Sequence, residues 1–201
     1  YLFMATKFGT VKKTAIEDFA KVRRSGLIAL NLAAGDELRW IAPTTGKDEI
    51  IITTSAGQAI HFKEADVRGM GRTAAGVRGV NLKKDDAVVG MDVVLKNQKG
   101  NQLLVLTENG FGKRSDMKSY KIQRRGGSGI KTAKTTPKTG KLVCAHVINL
   151  DNLEADLIAS SAKGQIIRVP LNTISVLGRA TQGVRVMRLN GDDKIAATAV
   201  L

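Results

Sequence analysis

The sequence predicts an all-β chain built as a propeller-like array of four-stranded blades. Three observations predict it. Four apolar segments rich in Ile, Leu, Val and Thr each run into a turn glycine, at Gly9, Gly57, Gly110 and Gly164, spaced 48, 53 and 54 residues apart. A second glycine follows at a near-constant offset, 17 residues on at Gly26 and 19 on at Gly76, Gly129 and Gly183. Helical periodicity is weak, leaving room for a single helical turn within Ile16 to Val22. Four strands per unit of about fifty residues is the plan of a propeller-like repeat, and the fixed offset argues against a sandwich with accidental internal likeness. Neither a WD dipeptide nor a repeated kelch-type diglycine is present.

Each copy has the same internal order. A first strand is read at Leu2 to Thr6, Ile50 to Thr54, Leu103 to Thr107 and Leu157 to Ser160. It ends in a turn such as Glu108-Asn109-Gly110, where Gly supplies positive φ without strain. A second strand carries basic residues, as in Thr10-Val11-Lys12-Lys13-Thr14 and Gly112-Lys113-Arg114. A polar loop follows, over residues 17–25, 64–75, 116–128 and 172–182. A third strand leaves the second glycine, as at Leu27-Ile28-Ala29-Leu30 and Val184-Arg185-Val186-Met187. Short turns (Gly35-Asp36, Asp85-Asp86, Thr139-Gly140, Gly191-Asp192-Asp193) lead to a fourth strand such as Val143 to Val147. The blades are bounded at about 1–49, 50–101, 102–154 and 155–201 within a single repeat domain. The chain opens inside an apolar strand-like run at Tyr1, which suggests part of something longer.

Charge points to the partner. Lys and Arg number 32 against 18 Asp and Glu, a formal +14, and such a field attracts polyanions. The four copies carry 8 basic against 6 acidic residues, 8 against 5, 10 against 4, and 6 against 3. Position matters more than quantity. Four residues before the second glycine stand Arg72, Arg125 and Arg179, and two residues after it stand Arg78, Lys131 and Arg185. The first copy departs, with Arg23 and Arg24 near the backward position and Ile28 at the forward one. Solvation alone does not require one register three times over. A row of cations on a curved array suits phosphates and confers affinity without sequence information. Aromatics are only 4% of the chain, which favours double-stranded DNA over single strands that need stacking platforms.

Other chemistries lack their residues. The lone Cys144 cannot form an internal disulfide, and with only His61 and His146 beside it no zinc set exists. Arg125 to Gly129 lacks the Lys-Ser/Thr ending of a nucleotide-binding loop, and Asp85-Asp86 and Asp192-Asp193 read as turns. No catalytic residue, cofactor or metal is expected. No apolar run reaches membrane-spanning length and no signal peptide is apparent, so no membrane partner is expected and a cytoplasmic setting is.

The segment Gln123-Arg124-Arg125-Gly126-Gly127-Ser128-Gly129 resembles the gyrase-A box, a pattern of Gln, Arg or Lys, Arg, Gly, Gly, Arg or Lys, Gly, with six of seven positions matching. Met4-Ala5-Thr6 with Gly9 to Thr14, Phe62-Lys63 through Gly79, Asn109 to Arg114, and Val176 to Val184 extend the likeness along the chain. The sequence is thereby similar to the C-terminal DNA-wrapping domain of bacterial DNA gyrase A. The resemblance implies a β-pinwheel whose neighbouring blades exchange a strand and whose rim wraps duplex DNA, this chain holding the last four blades. It implies a parent ATP-dependent type II topoisomerase, with the rest of gyrase A and gyrase B as partners in a bacterial, nucleoid-associated setting. The expected DNA contacts are Lys12, Lys13, Arg23, Arg24, Arg72, Arg78, Lys113, Arg114, Gln123, Arg124, Arg125, Gly126, Gly127, Gly129, Lys131, Arg179 and Arg185. Ser128 stands where the box carries a cation, and the box lies in the third copy rather than the first, so it is read as a degenerate echo of a true box upstream of Tyr1, with a working box as the alternative. The alternatives are the equivalent C-terminal domain of topoisomerase IV and a propeller scaffold for an acidic protein.

Overall fold

The computed structural model describes residues 1–22, 24–95, 100–149, 151 and 154–201. Among them, fifteen strands form four antiparallel sheets. The first repeat supplies β1 (Leu2–Thr6), β2 (Thr10–Thr14) and β3 (Leu38–Pro43). The second supplies β4 (Glu49–Thr54), β5 (Gln58–Lys63), β6 (Val77–Arg78) and β7 (Val88–Val94). The third supplies β8 (Gln102–Thr107), β9 (Phe111–Asp116), β10 (Ile130–Lys131) and β11 (Leu142–Ile148). The fourth supplies β12 (Asp156–Ser161), β13 (Ile166–Pro170), β14 (Val184–Arg185) and β15 (Ile195–Val200).

The sheets do not coincide with the repeats. Their orders are β3-β1-β2-β6, β10-β5-β4-β7, β11-β8-β9-β14 and β13-β12-β15. The short strand after each second glycine therefore completes the sheet of the preceding repeat. The register is the same at all three junctions: Arg78 pairs with Thr10, Lys131 with Gln58 and Arg185 with Phe111, each partner lying one residue beyond a hairpin glycine. Two expectations are corrected here. The third strand spans two residues, not four, and Leu27 to Leu30 forms no strand, because the described chain holds no preceding sheet for it to join. The helical turn expected within Ile16 to Val22 is a short 3-10 helix at Ile16–Phe19, and counterparts follow β5, β9 and β13 at Glu64–Asp66, Met117–Ser119 and Leu171–Thr173.

Packing explains the composition. Ile50 and Ile52 face the first seam, with Phe3, Val11 and Phe62, while Ile51 faces the second, with Leu103, Val105 and Tyr120. A strand buried on both faces reads as a continuous apolar run, and each such Ile contributes about 1.5–3 kcal/mol by leaving water. A third seam gathers Leu104, Leu106, Leu157, Ala159 and Met187. By contrast β3 and β13 alternate between half-buried and exposed residues.

The strand series β3, β7, β11 and β15 lies innermost, β7 packing on β11 and on β3, and β11 on β15. The exchanged strands β6, β10 and β14 thus occupy the opposite, outer edge. Glycine makes the exchange feasible. At Gly129 φ is +72°, and a Cβ there would collide with the Ala59 carbonyl oxygen. At the hairpin turn, Gly110 has φ +79° and its carbonyl accepts from both Val186 and Met187 N–H, locking the exchanged segment in place.

Candidate nucleic-acid interface

The outer edge carries the repeating cations. Arg78, Lys131 and Arg185 sit on β6, β10 and β14, and all three are exposed. Arg72, Arg125 and Arg179 lie half-buried in the loops before those strands. Successive repeats are tied through these pairs. Arg125 Nη1 donates to the carbonyl of Arg78 at 3.0 Å and Arg179 Nη1 to the carbonyl of Lys131 at 3.0 Å. Arg125 and Arg179 are each thereby aimed beside the forward cation of the previous repeat. Arg179 also lies over the Tyr120 ring at 5.8 Å, and Arg185 over Phe111 at 5.3 Å. A planar guanidinium held on one edge keeps its remaining donors and its charge for a phosphate. Arg24 is exposed on the loop of the first repeat, while Arg23 lies outside the described residues.

The loops are themselves docked. Lys13 pairs with Gly69, Phe62 with Gln123, and Arg114 with Val176, each as a parallel bridge between the second strand of one repeat and the loop of the next. In the box, Gln123 N–H donates to the His61 carbonyl at 2.7 Å. Arg125 Nε donates to the Asp66 carbonyl at 2.9 Å, and Gly126 N–H, at φ +82°, donates to the Gly79 carbonyl at 2.6 Å. Gly127 returns a bond, its carbonyl accepting from Asn81 N–H at 2.9 Å. The box loop so bridges the outer edges of the first two sheets. Arg124, Gly127 and Ser128 face outward.

Four expected contacts are placed elsewhere. Lys12, Lys13, Lys113 and Arg114 are 0, 6, 1 and 5% exposed, out of reach of a ligand on the rim. Lys12 Nζ donates to the carbonyls of Ala29, at 2.7 Å, and Arg72. Lys13 pairs with the buried Glu64 at 3.6 Å, and its ammonium lies 4.9 Å from the Tyr1 ring centre. Lys113 Nζ donates to the carbonyls of Gly178, at 2.6 Å, and Arg179 and to Thr181 Oγ1 at 3.1 Å. Arg114 donates to the carbonyls of Ile174 and Asn172 and to Gln102 Oε1. The cause is the exchange: loops of the following repeat cover both faces of β2 and β9. Neighbouring strand residues point to opposite faces, so an adjacent Lys-Lys or Lys-Arg pair could never face one rim together, a signal the sequence already carried.

Burial also shapes titration. Desolvation first, then the nearby Arg179 charge, push the Lys113 ammonium down to about 8. Burial lowers Lys12 as well, with Arg72 adding to the effect and Asp18 opposing it. On the inner side, burial raises the Asp92 carboxyl to about 6 even though it accepts a hydrogen bond from Val147 N–H at 2.7 Å.

The acidic turns have a structural task. Asp86 accepts from Thr54 Oγ1, Ser55 Oγ and Ala56 N–H at 2.7, 2.8 and 2.9 Å. Asp36 accepts from Phe8 N–H at 2.9 Å, and Asp193 from Lys163 N–H at 3.1 Å. Among the described residues no group of three or more His, Cys, Asp or Glu could hold a metal ion. No helix among them is long and apolar enough to cross a membrane.

Similarity to known proteins follows the repeats. The sequence matches the family described as DNA gyrase C-terminal domain, beta-propeller, over residues 1–45, 48–95, 101–149 and 155–201. It is 42% identical over 198 residues to a DNA gyrase A protein of Staphylococcus epidermidis, and 43% identical over 198 residues to one of Staphylococcus aureus. In each case 98% of this chain is covered but only 22% of the relative's length. Among solved structures, a DNA gyrase A C-terminal domain superposes with a TM-score of 0.85 at 25% identity, covering all of this chain and 65% of that one. A C-terminal domain of DNA topoisomerase IV superposes with a TM-score of 0.92 at 23% identity, covering all of this chain and 61% of that one, a likeness of fold alone.

Proposed function

The chain belongs to the DNA gyrase C-terminal domain family, and from that premise we propose that it binds, bends and wraps duplex DNA, without sequence preference, along its outer rim. One observation carries the reading. The cation pairs Arg78 with Arg125 and Lys131 with Arg179 recur in the same geometry on the exchanged edge, joined each time by a 3.0 Å bond. Repeated phosphate-directed donors around a curved edge offset the elastic cost of bending, on the order of a few kcal/mol for a site of 20–30 bp. The four repeats act as one continuous domain within a larger pinwheel.

The chain covers about a fifth of the length of its curated relatives. We therefore assign to it only the DNA-holding part of a parent ATP-dependent type II topoisomerase, supporting negative supercoiling by gyrase together with the rest of gyrase A and with gyrase B, in the bacterial cytoplasm on the nucleoid. The rim residues proposed to touch DNA are Arg24, Arg72, Arg78, Arg124, Arg125, Lys131, Arg179 and Arg185, with the backbone of Gly126, Gly127 and Gly129 shaping the box loop and Gln123 at its start. Identity of 42–43% to gyrase A proteins favours gyrase over the topoisomerase IV equivalent. Fluorescence-anisotropy titration with duplex and single-stranded DNA tests the reading. Contact with about six phosphates lowers duplex affinity roughly a thousandfold between 50 and 200 mM salt. A salt-independent affinity, or tighter binding to single strands, rejects it in favour of a protein scaffold.

A further inference from the structure

Two lysines lie too deep to touch a duplex, yet each holds the main chain of a rim arginine. We propose that Lys12 and Lys113 are positioning residues for duplex binding, each buried ammonium fixing the backbone of the register arginine delivered by the next repeat. This rests on the reading of the rim as a duplex-binding surface. Both stand three residues beyond a hairpin glycine, Gly9 and Gly110. Lys12 Nζ donates to the Arg72 carbonyl, and Lys113 Nζ to the Arg179 carbonyl, with Gly178 O and Thr181 Oγ1 completing the Lys113 set. The fold does not require a lysine there: the equivalent residues of the other two repeats are Ile60 and Ile167, and Ile60 is fully buried. Over Ile60 rides the box loop, where a Cβ on Gly127 would meet Ile60 Cδ1 at 3.7 Å. The arginine loops of the second and fourth repeats are thus held by a buried lysine, and the box loop by apolar contact, backbone bonds and the guanidinium of its own Arg125.

Charge ties the clamp to the ligand. Arg179 is the charged group that faces Lys113, and its guanidinium lies over the Tyr120 ring. Across the sheet β8 opposes Lys113 with Val105, and Arg114, next to it on β9, points to the other face. Among the described residues no carboxylate pairs with Lys113, in contrast to Lys13 and Glu64. A phosphate on Arg179 offsets the repulsion between the two cations, so the Lys113 ammonium holds its proton more tightly when DNA is bound. By linkage, DNA then binds more tightly when Lys113 is protonated. With the ammonium at about 8, the clamp is charged below that pH and weakens as pH rises through it.

The test is isothermal titration calorimetry of the 201-residue chain with a short duplex at pH 8, in two buffers of different ionisation enthalpy. The chains compared are wild type, Lys113→Ile and Arg179→Gln. The expected result is proton uptake on binding, approaching about half a proton for wild type and lost in both variants. Lys113→Ile, which places the residue of the other repeats at this position, binds about three- to tenfold more weakly at pH 7 and loses the decline between pH 7 and 9. Equal proton uptake in wild type and Lys113→Ile overturns the proposal. Should Lys113→Ile fail to fold, uptake that persists undiminished in Arg179→Gln, a rim substitution, overturns it equally. Absence of salt-sensitive duplex binding by the wild type instead defeats the rim reading, a separate outcome.

Discussion

Arg179 reaches back across a repeat boundary to bond the carbonyl oxygen of Lys131 at 3.0 Å, and Arg125 does the same to Arg78 one repeat earlier. The two register positions are therefore one composite element, assembled from consecutive repeats by strand exchange. A cation on the loop and a cation on the strand arrive at the rim together. On the proposed duplex-binding reading, the rim is a shared surface, with the box loop as one basic loop among several.

Sharing is tested by two double variants on one duplex. Replacing Arg124 and Arg125 with Gln should weaken binding by a similar factor to replacing Arg179 and Arg185, with the salt slope falling by about one unit per contact, uniformly across sequences. Loss of nearly all binding in the first variant alone, with the second at wild-type affinity, would mean the box anchors the DNA despite Ser128.

The box glycines should separate into two kinds. Gly129→Ala drives a Cβ into the Ala59 carbonyl oxygen at φ +72°, and should destabilise the chain by about 2–4 kcal/mol in thermal or urea unfolding. Gly127→Ala meets nothing closer than 3.7 Å and has no positive φ, so its stability should change by less than about 0.5 kcal/mol. If a phosphate approaches this backbone closely, the same substitution should nonetheless weaken duplex binding several-fold. Unchanged binding would place the DNA elsewhere on the rim.

Asp92 should make stability depend on pH. Its folded carboxyl sits near 6, above the ordinary 3.8, because burial disfavours the charge. The folded state binds the extra proton between these values, so this contribution is full below about 3.8 and lost as pH rises through about 6. Asp92→Asn keeps an acceptor for Val147 N–H and removes the buried charge. It should raise the melting temperature at pH 7 to 8, by the equivalent of about 1–3 kcal/mol, with the advantage vanishing by about pH 4. An advantage independent of pH would reject the assignment.

The isolated chain should show no nicking, relaxation or ATP hydrolysis. Plasmid incubated with the chain, Mg²⁺ and ATP should keep its topoisomer distribution after deproteinisation. Turnover by the purified chain would overturn the view that it only holds DNA.

Much of the architecture was legible without coordinates. The fixed offset between Gly57 and Gly76, Gly110 and Gly129, and Gly164 and Gly183 marks a turn and an exchange point, each at a positive φ that Gly adopts without strain. The run Ile50-Ile51-Ile52 announces a strand covered on both faces. The register of Arg72, Arg78, Arg125, Lys131, Arg179 and Arg185 was equally readable, because a period in sequence becomes a period in space when every unit folds alike. Tertiary structure alone decided which sheet each short strand joins, and hence which lysines stay in water. Lys12, Lys13, Lys113 and Arg114 look like rim cations in the sequence, but the next repeat closes over them and supplies carbonyl and carboxylate partners that make burial tolerable, with Ala29 of its own repeat adding a second carbonyl for Lys12. Local composition fixes what a strand carries. Whether a charge faces solvent depends on a neighbour some sixty residues away, such as Arg72 beside Lys12 at a separation of 60, and no local pattern encodes that contact.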